Sequence, residues 1–141
     1  MLTGHNQENF FLASDSQSIG WLIDSIPQGE EYCFRFRQDK EDSDTGDIAK
    51  LIELNNTFKV NNRILKVIYC ANVKKEATIV KNDIDFLINS GVDIIAVEFG
   101  NETYAATHAD FNFNIYKNWF EPLRSLIHTT YPTMPCLVFL A

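Results

Sequence analysis

Apolar and polar positions along the chain fall into two kinds of pattern. Mainly apolar runs occur at 64–71, 92–99 and 136–140, interrupted only by Lys66, Asp93 and Glu98, and apolar residues alternate with polar ones at 32–37. Both patterns are typical of strands, and the mainly apolar runs are typical of strands buried on both faces. Between them, apolar residues recur at helical spacing, which predicts helices at about 16–26, 45–58, 75–89 and 110–128.

The order of these elements predicts an α/β fold of parallel β-α units. The first nine residues are polar and predict a lead-in, whereas the short apolar run at 10–13 predicts a further strand. The spacing from strand to strand suits the β-α unit of a barrel or of a doubly wound sheet. Pro122 lies inside the last predicted helix and is expected to kink or divide it.

Polar side chains follow two of the buried runs, at the points where the strands end. The run at 92–99 ends in Gly100-Asn101-Glu102, and the preceding strand closes on Asn72. A carboxylate beside a carboxamide at the carboxyl end of a parallel strand lies where α/β folds place their chemistry. For Asn72, contact with a ligand and formation of a turn are both open.

Strand alternation assigns several charged residues to one face of the sheet. Glu98 has the same parity as Gly100 and Glu102, and Arg35 and Arg37 share a face of their own strand. A buried charge requires a partner, so we expect a structural ion pair between Glu98 and either Arg35 or Arg37. Arg35 has the alternative role of orienting active-site carboxylates.

Composition and charge narrow the set of partners. The 141 residues carry a net charge of -7, so phosphate backbones and anionic membranes are poor partners, and we expect neither nucleic acid nor membrane binding. Cys33, Cys70 and Cys136 are odd in number and distant in sequence, which favours free, buried thiols. No metal-ligand spacing or glycine-rich phosphate loop is present, and the acidic run at 39–44 lacks the pattern of a calcium loop; we expect no cofactor.

No targeting segment is evident in the sequence. Residues 1–8 are polar and lack a basic-then-apolar signal pattern. No apolar run reaches the roughly 18 residues that a bilayer-spanning helix needs. The cellular compartment therefore stays open.

Three segments together resemble a known family. Val97-Glu98-Phe99-Gly100-Asn101-Glu102 resembles the strand-four ending of the (β/α)8-barrel (TIM-barrel) glycoside hydrolases of clan A type, most closely the arabinofuranosidase, xylosidase and heparanase-like branches. Phe34-Arg35-Phe36 is similar to the strand-two segment of that family, and Tyr69-Cys70-Ala71-Asn72 to its strand-three ending. The resemblance implies that the chain is the N-terminal part of such a barrel, with about four to five strands.

The resemblance also implies a function and a set of site residues. It implies retaining hydrolysis of O-glycosidic bonds, with Glu102 as the general acid/base. The residues that it implies as carbohydrate contacts are Asn101, Asn72, Arg35, Tyr104 and His108. The nucleophile of the family is a second Glu at the end of strand seven, which this chain does not reach, so the chain alone is expected to be inactive.

The apolar strand at Cys136–Leu140 is expected to pair with the remaining half of the barrel or with another protein chain, because an uncovered apolar edge invites pairing. One alternative is a non-catalytic carbohydrate-binding or structural module of a larger assembly. Another is a self-contained flavodoxin-like sheet. For His108, a plain surface position is the alternative to a place in the substrate cleft.

Overall fold

Four helices alternate with five strands in the computed structural model, which describes residues 3–6, 16–38, 45–100 and 113–138. Side chains are described at 19–38, 48–100 and 113–138. The elements in chain order are β1 (Thr3–Asn6), α1 (Ser16–Ser25), β2 (Glu31–Gln38), α2 (Thr45–Val60), β3 (Ile64–Ala71), α3 (Ala77–Asn89), β4 (Asp93–Phe99), α4 (Phe113–Thr130) and β5 (Cys136–Leu137).

The strands form one parallel sheet in the order β1-β2-β3-β4-β5. The predicted α/β class and the parallel β-α units are thus confirmed. The flavodoxin-like alternative is wrong, because that fold orders its strands 2-1-3-4-5 and this sheet follows the chain. Sequential order needs every crossover to step the same way along the sheet.

All four helices pack on one face of the sheet, which we call the helix face. On β2, Tyr32, Phe34 and Phe36 point to this face and are at most 5% exposed. They join one apolar cluster with Leu51 and Phe58 of α2. The same cluster includes Ile26, which directly follows α1, and residues of α1, α3 and α4, namely Ile23, Val80, Ile84, Leu87, Tyr116, Phe120, Leu123 and Ile127.

The opposite side of the sheet, which we call the second face, has a different composition. Its side chains on β2, β3 and β4 are Glu31, Cys33, Arg35, Arg37, Ile64, Lys66, Ile68, Cys70, Asp93, Ala96 and Glu98. No helix in the described ranges packs on this face, and none of these residues belongs to the apolar cluster. The chain thus has one apolar side that the helices cover and one mixed side where charged groups lie.

Several sequence predictions differ from the structure in detail. Residues 3–6 form a strand where a polar lead-in was expected, and the predicted strand at 10–13 lies outside the described residues. Pro122 does not divide α4, which runs unbroken from Phe113 to Thr130. Cys33 and Cys136 are half-buried rather than fully buried, whereas Cys70 is buried, and all three thiols are free.

Candidate functional site

The carboxyl ends of β3 and β4 lie directly beside each other. The backbone N–H of Gly100 donates to the carbonyl oxygen of Ala71 at 3.0 Å, one residue beyond the last residue of β4. Gly100 has φ +80°, a conformation that side chains with a Cβ rarely adopt. Glycine is therefore the residue that best suits this position, which directly precedes Asn101 and Glu102 in the sequence.

Asn72 lies at the end of β3 and forms a turn there. Its side chain is buried, and its Oδ1 accepts a hydrogen bond from the backbone N–H of Lys74 at 3.0 Å. Its carbonyl oxygen accepts a second from the N–H of Lys75 at 3.2 Å. An asparagine that bonds the backbone two residues on is a common turn device. Of the two roles left open for Asn72, turn formation is thus observed.

Aromatic contacts hold the end of β4 against α4. The hydroxyl of Tyr116 donates to the carbonyl oxygen of Phe99 at 2.6 Å. The Phe99 ring stacks on Phe120 with centroids 5.3 Å apart, and Tyr116 meets Phe120 edge-on. Tyr116 is not among the site residues predicted from the sequence. Its position four residues before Phe120 and seven before Leu123 was the available signal.

An irregularity in β4 decides which side chains reach the second face. Val67 of β3 lies opposite Ile94, but the next residue, Ile68, lies opposite Ala96, so Ile95 is an extra residue in β4. One extra residue reverses the alternation of every later side chain on the strand. Asp93 and Glu98 therefore both lie on the second face, although unbroken alternation would put them on opposite faces.

Arg35 and Glu98 form a two-bond ion pair across the second face. Nε of Arg35 donates to one carboxylate oxygen of Glu98 at 2.5 Å, and Nη2 donates to the other at 2.8 Å. The side chains are 23% and 10% exposed. The hydrogen bonds with Glu98 hold the pKa of Arg35 above its ordinary value. Nη2 also lies 3.5 Å from the Sγ of the buried Cys70, so β2, β3 and β4 are linked at this point.

Gln38, the last residue of β2, is a further buried polar residue at the carboxyl edge. It is 4% exposed and lies level with Ala71 of β3. Its Nε2 has no hydrogen-bond partner among the residues that the structure describes. Gln38 continues the alternation of Phe34 and Phe36, so its side chain belongs to the helix face rather than to the face of Arg35.

The other predicted site residues lie outside the described part of the chain. These are Asn101, Glu102, Tyr104 and His108. In the structure Arg35 thus bonds to Glu98 directly. The ends of β3 and β4, which precede Asn72 and Asn101, lie side by side. The structure describes no contact between these groups and Glu102.

The described residues offer no group of three His, Cys, Asp or Glu side chains that could hold a metal ion. Burial raises the pKa of the Cys33 and Cys136 thiols above their ordinary value. A raised pKa keeps a thiol protonated and therefore poorly nucleophilic at neutral pH.

Comparisons with protein-family models, with curated proteins and with solved structures found no match for this chain. The resemblance to glycoside hydrolases therefore rests on the motif residues themselves. None of the helices in the described ranges combines the length and the apolar character needed to cross a membrane.

Proposed function

We propose that the chain is part of a (β/α)8-barrel domain of glycoside hydrolase type, with its carbohydrate site at the carboxyl edge of β2, β3 and β4. In this proposal Glu102 is the general acid/base of a retaining mechanism. Asn101, Asn72, Arg35, Tyr104 and His108 are the proposed substrate contacts, and the ion pair of Glu98 supports them from below.

The main support for the proposal is which strand bears each segment of the motif. The family resemblance requires the Arg segment on strand two, the Asn ending on strand three and the Asn-Glu ending on strand four. In the structure Arg35 lies on β2, Asn72 follows β3, and Gly100-Asn101-Glu102 follows β4. This agreement depends on β1, a strand that the sequence pattern did not predict.

The winding of the sheet also supports a barrel. A sequential parallel sheet with all its helices on one face is the arrangement of a (β/α)8 barrel, whereas doubly wound sheets have helices on both faces. In a barrel the second face becomes the interior. Arg35 and Glu98 would then lie in the barrel interior, below the carboxyl rim where barrel enzymes place their active sites.

The chemistry requires one more carboxyl group. In a retaining enzyme the acid/base and the nucleophile are about 5 Å apart. Among the described residues of the second face, Glu98 is bonded to Arg35. Asp93 and Glu31 lie at the opposite end of the sheet, 2.6 and 3.5 Å from the ammonium group of Lys66. We propose that further β-α units supply the nucleophile.

Those units would join the sheet at the strand that begins at Cys136. In the described part of the chain β5 pairs only with β4, and Leu137 and Val138 are 43% and 38% exposed. An apolar strand with one unpaired edge is a surface on which another strand can add. The proposed occupant is the remaining half of the barrel, in the same polypeptide or in another protein chain.

Because Glu98 is already paired with Arg35, it does not supply the second carboxylate, and this favours a second candidate function. If no additional carboxylate reaches the carboxyl edge, the same site would bind carbohydrate without cleaving it, as a binding or structural module of a larger assembly. Binding would then persist while hydrolysis is absent.

Hydrolysis of aryl glycosides tests the catalytic proposal in the protein with its complete barrel. Glu102→Gln should reduce kcat/KM strongly for sugars with poorly acidic leaving groups and much less for 4-nitrophenyl or 2,4-dinitrophenyl glycosides, because those leaving groups need little protonation. The kcat should fall for all of them, because hydrolysis of the glycosyl-enzyme loses its general base. Glu53→Gln, an exposed carboxylate on α2, is the matched control. Turnover by Glu102→Gln equal to that of the parent would remove Glu102 from the mechanism.

A further inference from the structure

A groove runs between the turn that follows β3 and helix α4. It has a volume of about 520 Å³, which lies within the usual range for small-molecule sites. Its lining residue Val73 directly follows Asn72 in the chain, so the groove lies beside the carboxyl end of β3. The lining residues that matter here are Val73, Lys74, Glu76, Asn118, Trp119 and Pro122.

Trp119 provides an aromatic surface in this groove. It is only partly buried and packs against the apolar core. The ammonium group of Lys74 lies over the ring, 5.1 Å from its centroid. Lys74 is exposed, so its side chain is free to exchange this contact for a ligand hydroxyl.

The other lining residues supply both polar groups and apolar surface. Lys74 and the amide of Asn118 are hydrogen-bond donors, and the carboxylate of Glu76 and the amide oxygen of Asn118 are acceptors. Val73 and Pro122 add apolar walls. A broad aromatic face beside donors and acceptors matches a sugar ring, which presents one face of C–H groups and a rim of hydroxyls.

We infer that this groove is an outer subsite for an oligosaccharide chain that extends from the carboxyl-edge site, with Trp119 as the stacking surface. The inference rests on the proposed carbohydrate function and adds a substrate class, a chain of several sugars rather than a single unit. A longer sugar chain gains contacts in the groove that a monosaccharide cannot reach.

Titration calorimetry with xylohexaose, arabinohexaose and xylose tests the inference, in proteins that carry Glu102→Gln so that the sugars are not cleaved. We expect at least one hexasaccharide to bind at least about 10-fold more tightly than xylose. Trp119→Leu should weaken that binding about 10-fold, and Trp119→Tyr, which keeps an aromatic face, should stay within about 3-fold of the parent.

Trp21→Leu is the matched control, because Trp21 is 67% exposed and does not line the groove. Circular dichroism and a melting curve establish that Trp119→Leu is folded, and Asn118→Ala, an exposed position, gives an independent loss of about 3-fold. Equal affinity of the parent and Trp119→Leu for a hexasaccharide would overturn the inference alone, whereas no binding of any hexasaccharide would overturn it together with the proposed carbohydrate function. Full hydrolysis by Glu102→Gln, with groove binding intact, would instead refute only the catalytic proposal.

Discussion

Arg35 and Glu98 are joined by two parallel hydrogen bonds across the intervening strand β3, although they do not lie level in the sheet. Cys70, not Ile68, is the β3 residue opposite Glu98, and Arg37 is the β2 residue opposite Cys70. The pair therefore runs diagonally, from Arg35 two residues back along β2. Its presence on the second face depends on the extra residue Ile95 in β4.

Removal of one member of this pair should destabilise the fold strongly. Glu98→Gln or Arg35→Gln leaves a largely buried charge without its partner, so each should lower the free energy of unfolding by about 3 kcal/mol. The double variant Arg35→Met/Glu98→Leu should recover much of this loss, because it leaves no charge behind. Urea denaturation measures all three variants.

The control for that series is the exposed ion pair between Arg124 and Glu121 of α4. Arg124→Gln should leave the urea midpoint almost unchanged, because solvent screens exposed pairs. If Arg35→Gln were as harmless as Arg124→Gln, the pair would contribute nothing to the fold.

A second prediction concerns alkaline pH. The hydroxyl of Tyr131 donates to Asp85 at 2.7 Å, and this bond, with burial, raises the pKa of Tyr131 from 10.0 to about 12. A raised tyrosine pKa means that the folded state favours the neutral phenol. Its contribution to stability is fully present below pH 10 and is lost as the pH rises from 10 to 12.

Tyr131→Phe should therefore lose about 1 to 2 kcal/mol of stability at pH 8, since the bond is to a charged acceptor. The difference between parent and variant should shrink as the pH approaches 12. Burial also raises the pKa of Tyr32 to about 12, so the comparison must be the difference between the two proteins and not the absolute slope. A difference that stays constant from pH 8 upward would contradict this assignment.

Two glycines with nearly the same φ allow the functional effect of the carboxyl edge to be separated from an effect on stability. Gly29 and Gly100 have φ +79° and +80°. Replacement of either by alanine should cost about 1 to 2 kcal/mol, because a Cβ disfavours this conformation. Only Gly100→Ala should also reduce glycoside turnover or sugar binding, since Gly100 orients the chain before Asn101. Equal functional effects at both glycines would mean that the edge geometry is irrelevant.

A buried amide should hold α2 against the start of β4. Asn55 is 2% exposed, and its Nδ2 donates to the carbonyl oxygen of Gly91 at 3.1 Å, just before the strand. Asn55→Leu leaves that carbonyl with only the exposed Lys59 ammonium, at 2.8 Å, and should cost about 2 kcal/mol. Thr57→Val, on the exposed side of α2, is the control. Identical melting temperatures for the two variants would contradict the role of Asn55.

The sequence predicted best those elements whose pattern is strong. The mainly apolar run at 64–71 coincides with β3. Pro27 and Gly29, which predict the end of a helix, lie just after α1. The strand at Thr3–Asn6 could not be predicted, because its four residues are mostly polar and are held by pairing with β2. The residues of a short segment do not show that a strand distant in the sequence will pair with it.

In the candidate site, too, some features could be predicted from the sequence and others could not. Alternation placed Arg35, Arg37 and Glu98 near each other but could not choose between the two arginines, because the choice depends on strand register and on the extra residue at Ile95. Phe113 is an apolar residue within the helix predicted at 110–128, yet it is 48% exposed at the first residue of α4. Helical spacing alone does not show where the neighbouring elements end.

We propose above that carbohydrate binds where β3 and β4 end, at Asn72 and Glu102. A two-dimensional amide NMR titration with the hexasaccharides, in the protein that carries Glu102→Gln, measures this directly. We expect the amide signals of residues 72 and 100–102 to shift together and to saturate with one dissociation constant. Shifts confined to the opposite edge, at residues 62–64 and 91–93, or no shift at any sugar concentration, would contradict the proposal.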